Sequence, residues 1–345
     1  MIDLRSDTVT QPTAAMRRAI AEAVVGDEQK REDPTVLELQ RRAAELLGQE
    51  AALFVPTATM ANQIAMRLHG RPGGQLVAHE YSHVLIYEHG GPALHAGLMT
   101  RGVPGAAGRV TGEQVRLAVE SADETQPVEV VSIENTHNSS GGRVWTLAEI
   151  DEVAAVCRDA GVRVHLDGAR LANAVVASGV PAAEFGRRFD TVTLCLSKGL
   201  GCPLGALIAG SAELMTRAWR WKHAFGGAMR QAGIVAAAGL YALDHHVERL
   251  AEDHARARRL GEGLVDAGLP VDLEQVETNF VQLDVGPLGL TPAEAIERLR
   301  EAGVGLSGTV HPTVLRAVTH LGIADEDVET AIDAIPAALG VLARV

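Results

Sequence analysis

The sequence predicts an α/β protein in which a mostly parallel sheet is covered by helices and followed by a smaller α+β domain. In the central part of the chain, short apolar runs of strand length alternate with helical stretches, which is typical of a parallel sheet with helical crossovers. Beyond about residue 265 this alternation gives way to strand-like segments around a helix. We therefore expect a large domain at residues 16–250, a C-terminal domain at 251–345, and an N-terminal segment at 1–15 that contributes to the site or to an interface.

The individual elements follow from local patterns. The predicted strands of the large domain are apolar runs at 51–55, 75–78, 128–133, 162–166, 191–196 and 206–209. Helical patterns cover 35–47, 147–160 behind a Thr146 cap with Glu149 three residues on, and a long stretch at 231–264. The smaller domain is expected to have a strand-like pair around Val271 and at 280–285, a helix opened by Thr291, and a last helix after Asp325. The Gly/Pro-rich segment 102–112 is expected to be a surface loop.

The composition excludes several classes of function. The chain has 345 residues with 31 Lys plus Arg against 44 Asp plus Glu, a formal charge of −13. Nucleic acids and anionic membranes attract positive surfaces, so neither is an expected partner. No apolar stretch reaches the roughly 20 residues of a membrane helix, and three cysteines lack the spacing of a zinc or disulfide framework. We expect a cytoplasmic protein.

A lysine and an aspartate each follow a predicted strand, and both are expected at the same edge of the sheet. Only three of the 31 cations are lysines, and Lys198 is one of them. Asp167 precedes it by 31 residues, the length of one strand-helix-strand crossover, so the two side chains can enter one crevice. Pyridoxal phosphate needs such a pair: an amine for a Schiff base and a carboxylate that keeps the ring nitrogen protonated. A buried salt bridge or a solvated pair of loops would show the same spacing.

Residues 57–59 follow a strand and begin a helix, where free N–H groups and hydroxyls can bind a phosphate. An ordinary threonine cap is the alternative. Arg230, beside Gly226 and Gly227, could add a cation to the same phosphate or extend into solvent.

A zinc-hydrolase motif competes with this interpretation. His79-Glu80-x-x-His83 has the H-E-x-x-H pattern, whose two histidines bind zinc and whose glutamate acts as a base when all five residues share a helix. Here residues 75–78 read as a strand, so His79 is expected in a turn. A second use for His83 is as a flat ring stacked on a flat cofactor.

Seven motifs, in order along nearly the whole chain, resemble the low-specificity L-threonine aldolases of the β-eliminating-lyase group. They are DLRSDTVT at 3–10, DPT at 33–35, ENTHN at 134–138, VHLDGAR at 164–170, CLSKGLG at 195–201, MRQ at 229–231 and RAVTH at 316–320. The resemblance implies a fold-type-I pyridoxal-phosphate enzyme that cleaves β-hydroxy-α-amino acids such as L-threonine, L-allo-threonine or phenylserine to glycine and an aldehyde.

The resemblance also implies roles for individual residues. Lys198 would carry pyridoxal phosphate covalently, Asp167 would pair with the pyridine nitrogen, and His83 would stack on the ring and serve as the candidate base. The remaining implied residues bind either the cofactor phosphate, namely Ala58, Thr59 and Arg230, or the amino-acid carboxylate, namely Ser6, Arg170 and Arg316. Active sites would lie at the interface of a homodimer, which commonly pairs into a homotetramer.

The chain departs from the family pattern at four places. The family usually has glycine at the position of Ala58, tyrosine at Lys30 and lysine at His223. A second active-site histidine of some members has no counterpart between residues 123 and 130. These changes near the β-substituent keep open another pyridoxal-phosphate reaction, such as β-elimination, racemisation or transamination. A non-catalytic binder of amino acid or cofactor is a third possibility.

Overall fold

The computed structural model describes residues 1–341. In this part of the chain the strands are, in order, β1 (Ile2–Asp3), β2 (Ala51–Val55), β3 (Gln75–His79), β4 (Met99–Val103), β5 (Val128–Glu134), β6 (Arg163–Gly168), β7 (Thr191–Cys195), β8 (Ala206–Gly210), β9 (Phe280–Asp284), β10 (Val304–Gly305), β11 (Ser307–Gly308) and β12 (Val314–Val318). The α-helices are α1 (Ala14–Ala21), α2 (Pro34–Leu47), α3 (Ala58–His69), α4 (His83–Ile86), α5 (Gly112–Glu120), α6 (Leu147–Ala160), α7 (Leu171–Ser178), α8 (Ala182–Gly186), α9 (Ala212–Ala224), α10 (Gly233–His245), α11 (Leu250–Asp266), α12 (Pro292–Glu301) and α13 (Asp325–Ala338).

The central sheet has seven strands in the order β2-β8-β7-β6-β5-β3-β4. Only β8 runs against its neighbours, so the sheet is mostly parallel as predicted. Because β5, β6 and β7 are adjacent and parallel, their carboxyl ends meet at one edge. Glu134 is in register with Asp167, and Asp167 with Thr193, and this register brings the polar residues that follow these strands together.

Two apolar layers cover the two faces of this sheet. One includes Leu39 of α2, Ile150 of α6 and Ala236 of α10, all fully buried. The other includes Ile64 of α3 and Ala218 of α9, also fully buried. Reciprocal caps begin several helices: at α6 the Thr146 hydroxyl accepts from the Glu149 N–H at 3.3 Å while the Glu149 carboxylate accepts from the Thr146 N–H at 2.8 Å.

A separate apolar core lies in the C-terminal part of the chain. It joins α11, α12 and α13 to the antiparallel sheet β11-β12-β9. Leu4 belongs to this core, and β1 pairs in parallel with β10, so the N-terminal segment is packed on the C-terminal part of the chain. The predicted boundaries at 15 and 250 stay predictions, and residues 342–345 of the predicted domain lie outside the described residues.

Three elements differ from the sequence-based expectation. The expected helix at 231–264 is two helices, α10 and α11, broken where the His246 ring is hydrogen-bonded to the Leu200 carbonyl at 2.7 Å. Strand β4 was not expected, and its last two residues overlap the loop expected at 102–112; it is an edge strand with mostly exposed residues and lacks the apolar run of a central strand. Val271 lies in a loop and not in a strand. Across residues 1–341, no helix is long and apolar enough to cross a membrane.

Candidate active site

Asp167 and Lys198 lie at the carboxyl ends of the neighbouring strands β6 and β7. Asp167 is almost fully buried, and its two oxygens accept from the Asn62 amide at 2.8 Å and from the Ala169 N–H at 3.0 Å. Lys198 is half-buried, and its ammonium has no hydrogen-bond or ion-pair partner among residues 1–341. A buried salt bridge, the alternative interpretation of this pair, is therefore not formed among the described residues, whereas the Asp167 carboxylate is held in place by its two hydrogen bonds.

A buried polar network connects Asp167 to His83. The Asn62 amide donates to Asp167 and also to the Glu88 carboxylate, both at 2.8 Å. Glu88 is bonded to the His83 Nδ1 at 2.9 Å and to the Gln63 amide. Burial lowers the pKa of His83, but the hydrogen bond to Glu88 and the nearby carboxylates outweigh it, so the pKa is raised overall. Since Nδ1 is occupied by Glu88, Nε2 is the nitrogen that His83 has left for a ligand.

Glu134 holds two segments at the same edge. Its carboxylate accepts from the backbone N–H of His83 at 2.7 Å and from that of Asn138 at 2.8 Å. Burial and the Asp167 charge raise the pKa of Glu134, although His83 and the two N–H groups oppose the rise. Glu134 thus fixes the start of α4 and the loop after β5 relative to Asp167.

The first turn of α3 has the free donors expected of an anion site. The Thr57 hydroxyl caps the helix by accepting from the Met60 N–H at 3.1 Å. Within the described residues, the N–H groups of Ala58 and Thr59 have no acceptor, and the Thr59 side chain is exposed. A side chain at Gly227 would overlap Met60 at 2.3 Å, so the 226–230 loop packs directly against this turn.

The Arg230 guanidinium is not free to bind an anion at the first turn of α3, because its charge is already paired. It is exposed and forms an ion pair with Asp27 at 3.0 Å, while its carbonyl accepts from the Glu28 N–H at 2.9 Å. Its predicted contact with a phosphate would require this exposed ion pair to open. Lys222, in the last turn of α9, is fully buried and paired with Glu28, so its role is structural.

The first of two arginines near Lys198 is neutralised. Arg170 is buried and donates through Nε and Nη2 to the two Asp7 oxygens, each at 2.7 Å. Burial alone would raise the pKa of Asp7, but Arg170, Lys198 and Arg316 together lower it to about 2. Arg170, predicted to bind a substrate carboxylate, therefore already holds a carboxylate of its own chain.

The second arginine is less occupied. Arg316, on β12, donates through Nη1 to the Asn138 oxygen at 2.7 Å and through Nε to the Ser307 hydroxyl at 3.0 Å. Its Nη2 has no partner among the described residues, and its guanidinium lies 5.7 Å from the centre of the Phe280 ring. The pKa of Arg316 is lowered, mainly by burial and secondly by repulsion from the Arg170 charge. An incoming carboxylate would relieve this repulsion.

Ser6, Tyr87 beside His83 and two positions that depart from the family pattern are placed as follows. Ser6 precedes Asp7 and accepts from the Thr8 N–H at 3.2 Å, so its hydroxyl caps a short turn beside the arginines. Tyr87 lies close to His83, with ring centres 5.4 Å apart. Lys30 ends the 3-10 turn Glu28–Lys30, and the exposed His223 packs on the Trp219 ring at 4.9 Å.

The zinc motif does not have the geometry that its mechanism needs. His79 is the last residue of β3 and its ring is bonded to the Gly105 carbonyl at 3.1 Å, whereas His83 opens α4 after a turn. The two histidines therefore do not share a helix, and this alternative is contradicted. His83, Glu88 and Asp167 do place one ligand atom each within 4.8 Å of one another, but the Asn62 amide already bridges the two carboxylates.

The mostly parallel sheet, the separate C-terminal core and the lysine and aspartate on adjacent strand ends define a fold-type-I α/β protein. The profile of the β-eliminating lyase family matches residues 3–286, and the chain belongs to this family. The family predicted from the seven motifs is thereby confirmed.

Individual relatives agree with this assignment. A probable low-specificity L-threonine aldolase 2 of Arabidopsis thaliana is 40% identical over 339 residues, covering 95% of this chain and 94% of the relative. The low specificity L-threonine aldolase of Escherichia coli strain K12 is 39% identical over 328 residues, covering 94% and 96%. The solved structure of the Leishmania major threonine aldolase has a TM-score of 0.84 at 20% identity, covering 98% of this chain and all of that one, and shows the same fold.

Proposed function

We propose that this protein is a pyridoxal-phosphate enzyme that cleaves β-hydroxy-α-amino acids such as threonine to glycine and an aldehyde. The observation that carries the proposal is that Lys198, which has no partner within residues 1–341, and the buried Asp167 lie at the carboxyl ends of neighbouring strands. Family membership and the threonine aldolases at 39–40% identity support the same reaction.

The residues present fit the cofactor. Lys198 would hold it through Nζ, Asp167 would face the protonated ring nitrogen, and the free N–H groups of Ala58 and Thr59 would bind its phosphate. Arg230 would assist only after release from Asp27. When bound, pyridoxal phosphate supplies an electron sink for the bond broken at Cα.

The arginine pair would orient the substrate. Arg316 offers its Nη2, which has no partner within residues 1–341, and Arg170, fixed by Asp7, adds a second positive charge near it. A carboxylate held there would fix the orientation of the amino acid, so that one bond at Cα is presented for cleavage. Ser6 lies beside these groups and would provide a further hydroxyl.

His83 would move the proton that the reaction requires. Nε2 takes the proton of the β-hydroxyl, directly or through a water, the Cα–Cβ bond breaks, and the aldehyde leaves. One proton is then returned to Cα, so that glycine is released and the proton count balances. The hydrogen bond to Glu88 orients the ring for this exchange.

The test is a product survey with the purified protein. We expect visible absorbance from bound cofactor, and glycine with the matching aldehyde from L-threonine, L-allo-threonine and phenylserine. Lys198→Ala should lose both. β-Elimination would instead give a keto acid and ammonia, transamination would consume an amino acceptor, and racemisation would release no aldehyde. A colourless protein that forms no glycine from any of the three substrates contradicts the proposal.

A homodimer or homotetramer with interfacial active sites is part of the proposal. Three exposed apolar side chains surround the start of α2: Val24 at 68%, Leu37 at 44% and Ile234 at 46% exposure. The Thr35 hydroxyl bonded to the Val24 carbonyl at 2.6 Å, and the Gly233 N–H bonded to Asp33 at 2.9 Å, hold them around one patch. Such a patch suits a second copy of the chain. Light scattering should report at least a dimer, and Ile234→Glu should weaken it; a monomer would contradict this part.

The cytoplasm is the proposed compartment. All three cysteines are buried and none forms a disulfide, as suits a reducing environment. Fractionation of the producing cells would test it: recovery of the protein outside the cytoplasm would contradict the proposal.

A further inference from the structure

A continuous line of buried side chains extends from Asp167 to the far side of the sheet. The Asn62 amide donates to Asp167 at 2.8 Å, and the Asn62 carbonyl oxygen lies 3.1 Å from the His165 Nε2. The Thr191 hydroxyl lies 2.8 Å from the His165 Nδ1 and 2.8 Å from the His69 Nε2. These five side chains are at most 8% exposed. Of these five side chains, only Asp167 has a role in the proposed cleavage reaction.

Two carboxylates fix the orientation of the Asn62 amide. Its nitrogen lies 2.8 Å from both Asp167 and Glu88, and a carbonyl oxygen at that place would face two carboxylate oxygens. The NH₂ group must therefore point toward the carboxylates, and the carbonyl oxygen toward His165. Since that oxygen can only accept, the His165 Nε2 must carry a hydrogen.

The donor and acceptor of each remaining hydrogen bond in the line can now be assigned. Burial outweighs the Asp167 charge and a hydrogen bond to the Thr191 backbone and lowers the pKa of His165 to about 4, so the ring is neutral and its Nδ1 is an acceptor. The Thr191 hydroxyl must donate to that nitrogen, and its oxygen then accepts from the His69 Nε2–H. Burial likewise lowers the pKa of His69 to about 3 and keeps it neutral. Every hydrogen in the line points toward Asp167.

The line ends at a second opening of the molecule. His69, the last residue of α3, borders a cavity of about 570 Å³ lined also by Arg163, Asp190 and Arg217. The cavity lies at the start of β6 and β7, whereas Asp167 lies near the carboxyl end of β6. The line therefore runs along the strands through the interior between the sheet and α3.

We propose that Asn62, His165, Thr191 and His69 form a directed hydrogen-bond chain that positions Asp167 as the acceptor for the cofactor ring nitrogen. The cofactor part rests on the proposed function, whereas the direction of the chain does not. Asn62 is the positioning residue because, of these four side chains, it is the one hydrogen-bonded to Asp167. Hydrogen bonds aligned in this way polarise one another, so a change at Thr191 is transmitted to Asp167.

The direction of the chain is tested on the full-length protein without cofactor. Ring ¹⁵N resonances of ¹⁵N-histidine-labelled protein, assigned with His69→Gln and His165→Gln, distinguish a protonated from a bare nitrogen. We expect both rings neutral and protonated on Nε2. Asn62→Leu should release His165 into a mixture of tautomers, and Thr191→Val should do so for His69. Thr193→Val is the matched control: Thr193 is buried on the same strand, its hydroxyl has no partner among the described residues, and both tautomers should persist.

Binding of pyridoxal phosphate to the apoprotein tests the effect on Asp167. Loss of a hydrogen bond to a buried charge should weaken binding about tenfold in Asn62→Leu, and a smaller loss is expected for Thr191→Val. Thr319→Val, which removes a buried hydroxyl bonded to the Asp253 carbonyl, serves as the control. Wild-type affinity in Asn62→Leu, or a wild-type His165 protonated on Nδ1, would overturn the proposal. If the tautomers are as expected but the wild type binds no pyridoxal phosphate, the proposed function fails, and with it the role of the chain toward the cofactor.

Discussion

Replacing Asp7 by asparagine tests the buried pair that neutralises Arg170. The pKa of Asp7 is about 2, against an ordinary value of 3.8. One unit corresponds to about 1.4 kcal/mol, so ionised Asp7 contributes roughly 2 kcal/mol to the free energy of unfolding at neutral pH. Because its pKa is lower in the folded chain, this contribution is complete above about pH 4 to 5 and is lost as the pH falls toward 2; about 1 kcal/mol is lost by pH 3.

Asp7→Asn should change both the level and the slope of stability. At pH 7 the variant leaves a buried guanidinium without its anion, a change that costs about 3–5 kcal/mol. Between pH 6 and pH 3 its free energy of unfolding should fall by about 1 kcal/mol less than that of the wild type, since the Asp7 titration is absent.

The assay is urea unfolding of the cofactor-free protein at several pH values, followed by circular dichroism. Asp159→Asn, which changes an exposed aspartate of α6, is the control and should stay within about 0.5 kcal/mol of the wild type. If Asp7→Asn keeps the wild-type slope between pH 6 and pH 3, Arg170 does not stabilise the ionised form of Asp7, and the description of this site as a neutralised arginine is wrong.

Three further predictions address the rest of the site. Arg316→Leu should raise the KM for L-threonine about 10- to 100-fold, because a charged hydrogen bond is lost, with a smaller effect on kcat; an unchanged KM would remove Arg316 from substrate binding. The pKa of His83, raised largely by Glu88, should fall in Glu88→Gln when followed by NMR titration, and a constant value would contradict the network. Lys222→Met should destabilise the fold by about 3–5 kcal/mol by leaving Glu28 buried without a cation, whereas adding Glu28→Met should restore most of the loss in urea unfolding; additive losses would argue against the pair.

The strand-end residues were predictable from the sequence because their signals are local. An apolar run followed by a polar residue marks the end of a buried strand, and a crossover of 31 residues places Asp167 and Lys198 on neighbours. The Thr57 cap likewise depends on three successive residues. The helix bounds at α2 and α6 agree with the predicted ones to within one residue, since their caps are encoded at their ends.

The partners of the site residues were not predictable in this way. Asn62 and Asp167, which are hydrogen-bonded, are 105 residues apart in the sequence, and the paired Asp7 and Arg170 are 163 residues apart. Nothing in the residues around Asn62 indicates that its amide will meet two carboxylates. Arg230 illustrates the converse: its position beside two glycines suggested a free cation, and only the fold shows Asp27 next to it.

The packing of the first residues on the last third of the chain has a consequence for the order in which the protein folds during synthesis. Asp7 can pair with Arg170 once half of the chain has been synthesised. The Leu4 carbonyl accepts from the Val318 N–H at 2.8 Å, and this bond can form only when nearly the whole chain has been synthesised. The seven-stranded sheet needs nothing beyond residue 210. A nascent chain can therefore complete the seven-stranded sheet while the apolar Leu4 side chain is still exposed to solvent. During that interval Leu4 is accessible to a chaperone that binds short N-terminal apolar segments.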